Sequence, residues 1–232
     1  MDFYNKSEQS ILLNAENIIV GFSGGVDSTL VLAATNQFLE AHNKKNCLTA
    51  LHVNHQTQSD SSSWQIHCEK FCKEHNINFS CKSVEIKESG QGYEAAARSA
   101  RLDIFNAFDE ATVIILGHHL DDQVETVFFR VLRGTGLKGL TGMQRHLKIK
   151  DKDFIRPLLH LTKEEIFKQA TEYKLSFIED QSNTDNAYSR NFLRNEIIPQ
   201  ISKRWPGAKK NTARMANLCL LYTSPSPRDV CS

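Results

Sequence analysis

The chain has 232 residues, 40% of them hydrophobic, and a formal net charge of +1. That length suits one α/β domain with a real core plus a short extension, and so small a net charge excludes global steering towards nucleic acid, leaving only a local patch to do it. The polar N-terminus lacks the basic-then-apolar order of a signal peptide, and no apolar run approaches the ~20 residues of a membrane span, so the sequence predicts a soluble cytoplasmic protein with no membrane partner.

In chain order, the short apolar run within Asn17-Ile18-Ile19-Val20-Gly21-Phe22 reads as a first buried strand, and helical text covers residues 28 to about 40. Between them stands Ser23-Gly24-Gly25-Val26-Asp27-Ser28. Adjacent glycines let the backbone turn sharply and aim several N–H groups at one point. The helix start adds its unpaired N–H groups and positive dipole end, so this loop is an anion cradle. One helix end contributes only about 0.3–2 kcal/mol per charge, so a polyphosphate also needs a metal ion or basic side chains. The loop is not a Walker loop, because the chain holds no Gly-Lys pair, and it lacks the Gly-x-Gly-x-x-Gly of a dinucleotide site. It resembles the pyrophosphate loop of the ATP-pyrophosphatase superfamily, whose members cleave ATP between the α and β phosphates.

Further strands are predicted over 48–53, 78–86 and 112–117, and helices over 64–75, 93–108 and 121–133. Strands alternating with helices of this length predict a parallel sheet covered on both faces, a three-layer Rossmann-like sandwich. Ligands of such sheets lie beyond the C-terminal strand ends where strand order reverses, so both strand-end motifs are expected at that edge. The second motif is His118-His119-Leu120-Asp121-Asp122-Gln123-Val124-Glu125-Thr126. Helical spacing puts Asp121, Asp122 and Glu125 on one side near the helix start, with Val124, Val127, Phe128 and Val131 facing the core. Capping accounts for one of these acids but not for two histidines and a glutamate as well.

Gly134-Thr135-Gly136-Leu137-Lys138-Gly139 follows a helix rather than a strand, so it reads as a flexible loop and not as a dinucleotide site. Thr162-Lys163-Glu164-Glu165 is a capping box opening a helix to about Tyr173, and a short strand and turn follow over 177–183. Between residues 188 and 218 seven basic residues stand against one acid, a local patch that suits a phosphate backbone. Cys68 and Cys72 stack one turn apart without forming Cys-x-x-Cys and read as buried free thiols. The boundaries expected are a catalytic domain over 1–186, a basic helical extension over 187–218 and a tail over 219–232. That tail has no helical or strand period and reads as translated sequencing adapter, so the natural chain is expected to run on past about Leu218.

Several stretches together resemble the bacterial tRNA(Ile)-lysidine synthetases. They are the loop at 23–28, Leu51-His52-Val53-Asn54-His55, Glu94-Ala95-Ala96-Ala97-Arg98, the acidic motif at 119–126, Ile155-Arg156-Pro157-Leu158, Glu179-Asp180-Gln181-Ser182-Asn183 and Arg190-Asn191-Phe192-Leu193-Arg194. One departure is Gln56, where the family usually has Gly. The resemblance implies an enzyme that uses ATP and Mg²⁺ to adenylate the C2 oxygen of the wobble cytidine in tRNA(Ile) with a CAU anticodon. The ε-amine of free L-lysine then displaces AMP. It implies ATP held by Ser23, Gly24, Gly25, Val26, Asp27 and Ser28, with Asp27 also the metal ligand. Asp122 and Glu125 are implied for lysine's ammonium groups, His119 beside the reacting centre, and Asp121, Arg98, Arg190 and Arg194 for substrate, the arginines on phosphates. A homodimer is left open. Two alternatives stand beside this reading: a cytidine-thiolating enzyme of the same superfamily, which would lean on a Cys-x-x-Cys pair that is absent here, and a non-enzymatic nucleotide-binding module.

Overall fold

A computed structural model describes residues 1, 3–54, 61–84, 99–100, 103–108, 112–179 and 189–223. The chain divides into two compact units, one of residues 1–117, 145–158 and 164–179, the other of residues 118–144, 159–163 and 180–232.

The first unit is built on β1 (Asn17–Gly21), whose Ile18, Ile19 and Val20 are all buried. A short β-branched run with no polar alternation can be covered on both faces only in the middle of a sheet. β1 lies between β2 (Leu48–Asn54) and β4 (Thr112–Ile115), parallel to both, with Val20 opposite Ala50 on one side and Ile115 on the other. β3 (Asn78–Ser83) adds in parallel beyond β2, and β6 (Lys152–Ile155) beyond β4; β5 (His146–Ile149) closes the far edge antiparallel to β6. The order β3-β2-β1-β4-β6-β5 reverses direction between β1 and β4, which makes their C-terminal ends the switch point. Ile19, Leu51, Phe105, Ile114 and Phe154 form one buried cluster on this sheet.

The predicted Rossmann-like α/β sheet is therefore present, parallel except for its edge strand. α2 (Val26–Ala41) and α3 (Ser61–Glu74) flank the sheet. The strand expected to reach residue 86 ends at Ser83, and the one expected to reach Gly117 ends at Ile115, although Leu116 N–H still donates to the Ile155 carbonyl at 2.9 Å. Of the helix expected over 93–108, residues 99–100 and 103–106 are helical and 107–108 form a turn; 93–98 and 101–102 lie outside the described residues.

Two features were not expected from the sequence: the β5–β6 hairpin and α1 (Lys6–Asn14). Asn5 opens α1 with a capping box, its side chain accepting the Glu8 N–H at 2.9 Å while the Glu8 carboxylate accepts the Asn5 N–H at 3.0 Å. Glu8 is 1% exposed. Arg145 donates to its two oxygens from Nε at 2.7 Å and a terminal nitrogen at 2.8 Å, and also to the carbonyls of Phe3 and Pro157.

The second unit begins with α4 (Leu120–Leu132), followed by the short α5 (Leu137–Leu140). The glycine-rich stretch expected as a flexible loop thus turns into helix within three residues of Gly134, and Arg130 ties it down by donating to the carbonyls of Gly139 and Gly142 at 2.8 and 3.0 Å. α6 (Lys163–Glu172), which belongs to the first unit from Glu164 on, starts where the capping box predicted. α7 (Ser189–Phe192) runs through a π-type turn at Leu193–Ile197 into α8 (Ile198–Arg204), and α9 (Ala208–Thr223) carries the helix five residues beyond Leu218. The rest of the predicted tail, 224–232, lies outside the described residues. Among the described residues no helix is long and apolar enough to cross a membrane.

Candidate active site

The loop after β1 is shaped by backbone constraints. Gly24 sits at φ +87°, a conformation side chains rarely adopt, and a Cβ there would lie 2.9 Å from the sulfur of Cys68. Cys68 is fully buried and desolvation pushes its thiol up to about 12, so it acts as packing and not as a nucleophile. Ile178 N–H donates to the Gly24 carbonyl at 2.9 Å, and this single bridge is what remains, within the described residues, of the strand expected over 177–183. Ser28 Oγ donates to the Gly25 carbonyl at 3.0 Å and accepts the Ser23 N–H at 3.2 Å. α2 begins at Val26 with Gly25 as its N-cap and no side-chain capping bond. A helix start shaped this way, beside two glycines, suits phosphate oxygens.

The chain leaving β4 closes on the same loop. A Cβ on Gly117 would lie 3.1 Å from the Asp27 carbonyl carbon, the Asp27 oxygen and the Ser28 nitrogen, so a larger residue would have to push this backbone away by a few tenths of an ångström. From the other side His52 on β2 donates from Nδ1 to the Phe22 carbonyl at 3.0 Å, with Cys68 sulfur 3.6 Å away. Burial keeps the His52 pKa below the ordinary histidine value, the bond to Phe22 opposing that in part. Sequence reading had His52 only as part of a motif; a buried histidine bonded to the residue before the loop is a brace for it. As for Mg²⁺, that ion takes one or two carboxylates and completes its shell with water and phosphate oxygens. Asp27, the acid in the first turn of α2, is a donor of that kind. Among the described residues no group of three or more His, Cys, Asp or Glu is placed to hold a metal ion.

In the second unit the start of α4 is built from charge. His119 is the N-cap, its N–H donating to Asp122 Oδ2 at 3.1 Å and its Nδ1 accepting the Asp122 N–H at 3.4 Å. Asp121 accepts the Lys163 N–H at 2.8 Å and pairs with Lys209 at 2.5 Å. Desolvation alone would raise the Asp121 pKa, but Lys209 and the Lys163 N–H outweigh it and the net shift is down. Glu125 is 1% exposed and bound by Arg194 through Nε at 2.6 Å and a terminal nitrogen at 3.0 Å. The same terminal nitrogen reaches Asp122 at 3.3 Å. Desolvation is the largest influence on Glu125 and leaves its pKa raised in spite of Arg194.

Arg194 is delivered by the π-type turn at Leu193–Ile197, where Leu193 and Ile198 pack on Val124 with Phe128, Phe129 and Ile197 around them. Arg190, one turn earlier, lies over the Phe129 ring at 5.9 Å. The outcome, among the described residues, is three carboxylates (Asp121, Asp122, Glu125) bonded to two permanent side-chain cations, Lys209 and Arg194, with the His119 ring 3.8 Å from Asp121 and 3.4 Å from Asp122 as a third partner only when protonated. A site with surplus acid can take a further cation.

Of the predicted site residues, the loop set at 23–28 comes together in the first unit, and His119, Asp121, Asp122, Glu125 and Arg194 in the second. Arg194, expected on phosphates, is bonded to two of the expected lysine ligands. Arg98, with the rest of the 94–98 motif, lies outside the described residues, as do His55, Gln56 and the 180–183 motif. Lys209 had no signal pairing it with Asp121 beyond its membership of the basic run.

The chain is similar to several curated proteins. The tRNA(Ile)-lysidine synthase of Legionella pneumophila (strain Lens) is 40% identical over 205 residues, covering 88% of this chain and 47% of that protein. Those of Histophilus somni (strain 2336) and Escherichia coli O157:H7 are 39% and 38% identical, covering 87% and 90% of this chain and 47% and 48% of theirs. The chain thus spans about half the length of the curated relatives it matches. Among solved structures, the U34-tRNA thiolase NcsA from Methanococcus maripaludis, with its 4Fe–4S cluster, superposes with a TM-score of 0.69 at 20% identity, over 95% of this chain and 79% of that one, and so shares the fold. Residues 2–201 match the family model of the PP-loop domain, a span that takes in the glycine loop and the acidic helix start alike, and the chain belongs to that family.

Proposed function

We propose that the chain is the ATP-using part of a tRNA(Ile)-lysidine synthetase. In that reaction the C2 oxygen of the wobble cytidine of tRNA(Ile) with a CAU anticodon attacks the α-phosphorus of ATP, and the bond to the bridging oxygen breaks to release pyrophosphate. The ε-amine of free L-lysine then forms a C2–N bond as the C2–O bond to AMP breaks. Residues 23–28 hold the pyrophosphate end, and Asp27 holds Mg²⁺, which supplies charge neutralisation when bound. His119 stands beside the reacting centre, and Arg98 and Arg190 meet phosphates.

The observation that carries the lysine assignment is the acid surplus at the start of α4. Asp122 and Glu125 hold lysine's ammonium groups, Asp121 adds its negative field, and the Arg194–Glu125 bond is what lysine competes with. The amine must be neutral to attack. With a side-chain pKa of about 10.4 it lies roughly 3.4 units, or about 4.6 kcal/mol, uphill at pH 7. His119 or the carboxylate pair takes that proton, and the raised pKa of Glu125 favours such a role. Free buried thiols and a tRNA substrate suit a cytoplasmic enzyme.

The deciding experiment measures pyrophosphate release and incorporation of labelled lysine. Release is expected to need both ATP and tRNA(Ile), and labelling to need lysine as well. ATP binding without turnover in the presence of tRNA would sink the proposal. With His119→Ala, an unchanged lysine step in single-turnover assays would remove His119 from the chemistry.

A further inference from the structure

The proposed reaction leaves one surface of the second unit without a task. Of the seven basic residues between 188 and 218, Arg194 and Lys209 are bonded to the acids of α4, and Arg190 covers Phe129. Lys203, Arg204, Lys210 and Arg214 are all exposed, and none forms an ion pair with a described residue. Lys210 and Arg214 are four apart on α9 and so share a face. Between α8 and α9 stands Trp205, 60% exposed. Its N–H donates to the Ile201 carbonyl at 2.8 Å and its carbonyl accepts the Ala208 N–H at 2.9 Å, so the indole is presented from a fixed turn. The Arg204 guanidinium lies over it, 5.6 Å from the ring.

An exposed indole with a guanidinium over its face, and three further exposed cations within nine residues of it along the chain, is a combination that suits single-stranded nucleic acid: cations hold the phosphates and the ring stacks a base. Tryptophan and arginine also favour protein interfaces, but the excess of basic residues over acid between 188 and 218, in a chain of net charge +1, favours a phosphate backbone. Resting on the reading of this chain as a tRNA-modifying enzyme, we propose that Trp205 is a stacking platform for an unpaired base of the RNA. Lys203, Arg204, Lys210 and Arg214 hold the adjoining phosphates.

The chain has two tryptophans, so Trp64→Phe leaves Trp205 as the sole indole reporter in the full 232-residue protein. Titration at fixed salt with a tRNA(Ile) CAU transcript is expected to quench its fluorescence, and a blunt RNA duplex is not. Trp205→Leu, which keeps an apolar side chain but loses the ring face, is expected to weaken transcript affinity by about 5- to 150-fold, the range of one base–aromatic stack; Trp205→Phe should retain most of it. Each lost phosphate contact, as in Arg214→Gln, should reduce the slope of log affinity against log salt by about 0.7. Wild-type affinity in Trp205→Leu, or equal quenching by the duplex, overturns the proposal. So does a change in sedimentation of Trp205→Leu at unaltered tRNA affinity, which would assign the ring to a protein interface. The two readings fail separately. Lysine incorporation with unchanged tRNA affinity in Trp205→Leu removes this surface and keeps the enzyme, whereas Trp205-dependent binding without lysine incorporation does the reverse. No RNA binding at all removes both.

Discussion

Glu8 in the first unit and Glu125 in the second are each 1% exposed, and each is held by two nitrogens of a distant arginine, Arg145 and Arg194. Each arrangement also includes a helix-opening capping box, Asn5 with Glu8 and His119 with Asp122. Their surroundings differ. Among the described residues Arg145 holds the Glu8 carboxylate and the carbonyls of Phe3 and Pro157, and so ties the N-terminal segment to the chain after β6. Arg194 divides its charge between Glu125 and Asp122, while Asp121 beside them takes Lys209. The same chemical pair thus joins distant segments in the first unit, while in the second it stands among further carboxylates, where we propose that it receives a cation.

The largest effect that could break this contrast is expected from Arg145→Ala. Removing the partner of a buried carboxylate costs about 3–5 kcal/mol, which for a chain of this size lowers Tm by roughly 6–20 °C. Nucleotide binding measured well below Tm should be unaffected; a drop in Tm within 2–3 °C would mean that Glu8 is not locked. Arg194→Ala should cost somewhat less, about 3 kcal/mol at neutral pH, because Glu125 can take up a proton. Its folded pKa already lies above the unfolded 4.5, so the stability it lends is full below 4.5 and is lost as pH rises through the folded value. Without Arg194 that loss moves to higher pH. Urea midpoints of variant and wild type should therefore converge as pH falls towards 4.5, and a constant gap would refute the assignment.

Gly117→Ala sharpens the contrast from the other side. Its methyl would press on the Asp27–Ser28 backbone at 3.1 Å, costing about 1–3 kcal/mol and raising KM for ATP, with no dependence on ionic strength. Loss of the Asp121–Lys209 pair in Lys209→Gln should by contrast fade with added salt. The smallest stability changes belong to the caps: Asn5→Ala and His119→Ala should each cost about 1 kcal/mol. Only the second should also slow lysine transfer, by ~100-fold or more if His119 is the base. Equal kinetics in the two would erase the distinction.

Much of the fold in both units was legible because β1, β4 and the helices after them carry uninterrupted patterns. The loop at 23–28 stood out since its glycines sit between a strand and a helix. The β5–β6 hairpin was not legible: its strands, His146–Ile149 and Lys152–Ile155, are four residues each and rich in charge, and Lys152 is buried where a charged residue argues against a strand. α1 could have been found, since Asn5 and Glu8 before Ile11-Leu12-Leu13 form a capping signature. At the acidic helix the residues were visible but their partners were not. Nothing local tells Glu125 that its cation arrives 69 residues later on a π-type turn, or Asp121 that Lys209 will reach it.

The hydrogen bond from Ile178 to the carbonyl of Gly24 joins an early glycine to a residue 154 positions later. On the ribosome the chain emerges N-terminus first at about 5–20 residues per second, so the intervening stretch takes on the order of ten seconds to appear. Throughout that interval the glycine turn exists without its brace. A nascent chain is therefore expected to gain its hold on ATP only once the segment around Ile178 has cleared the exit tunnel, however long before that residues 23–28 were made.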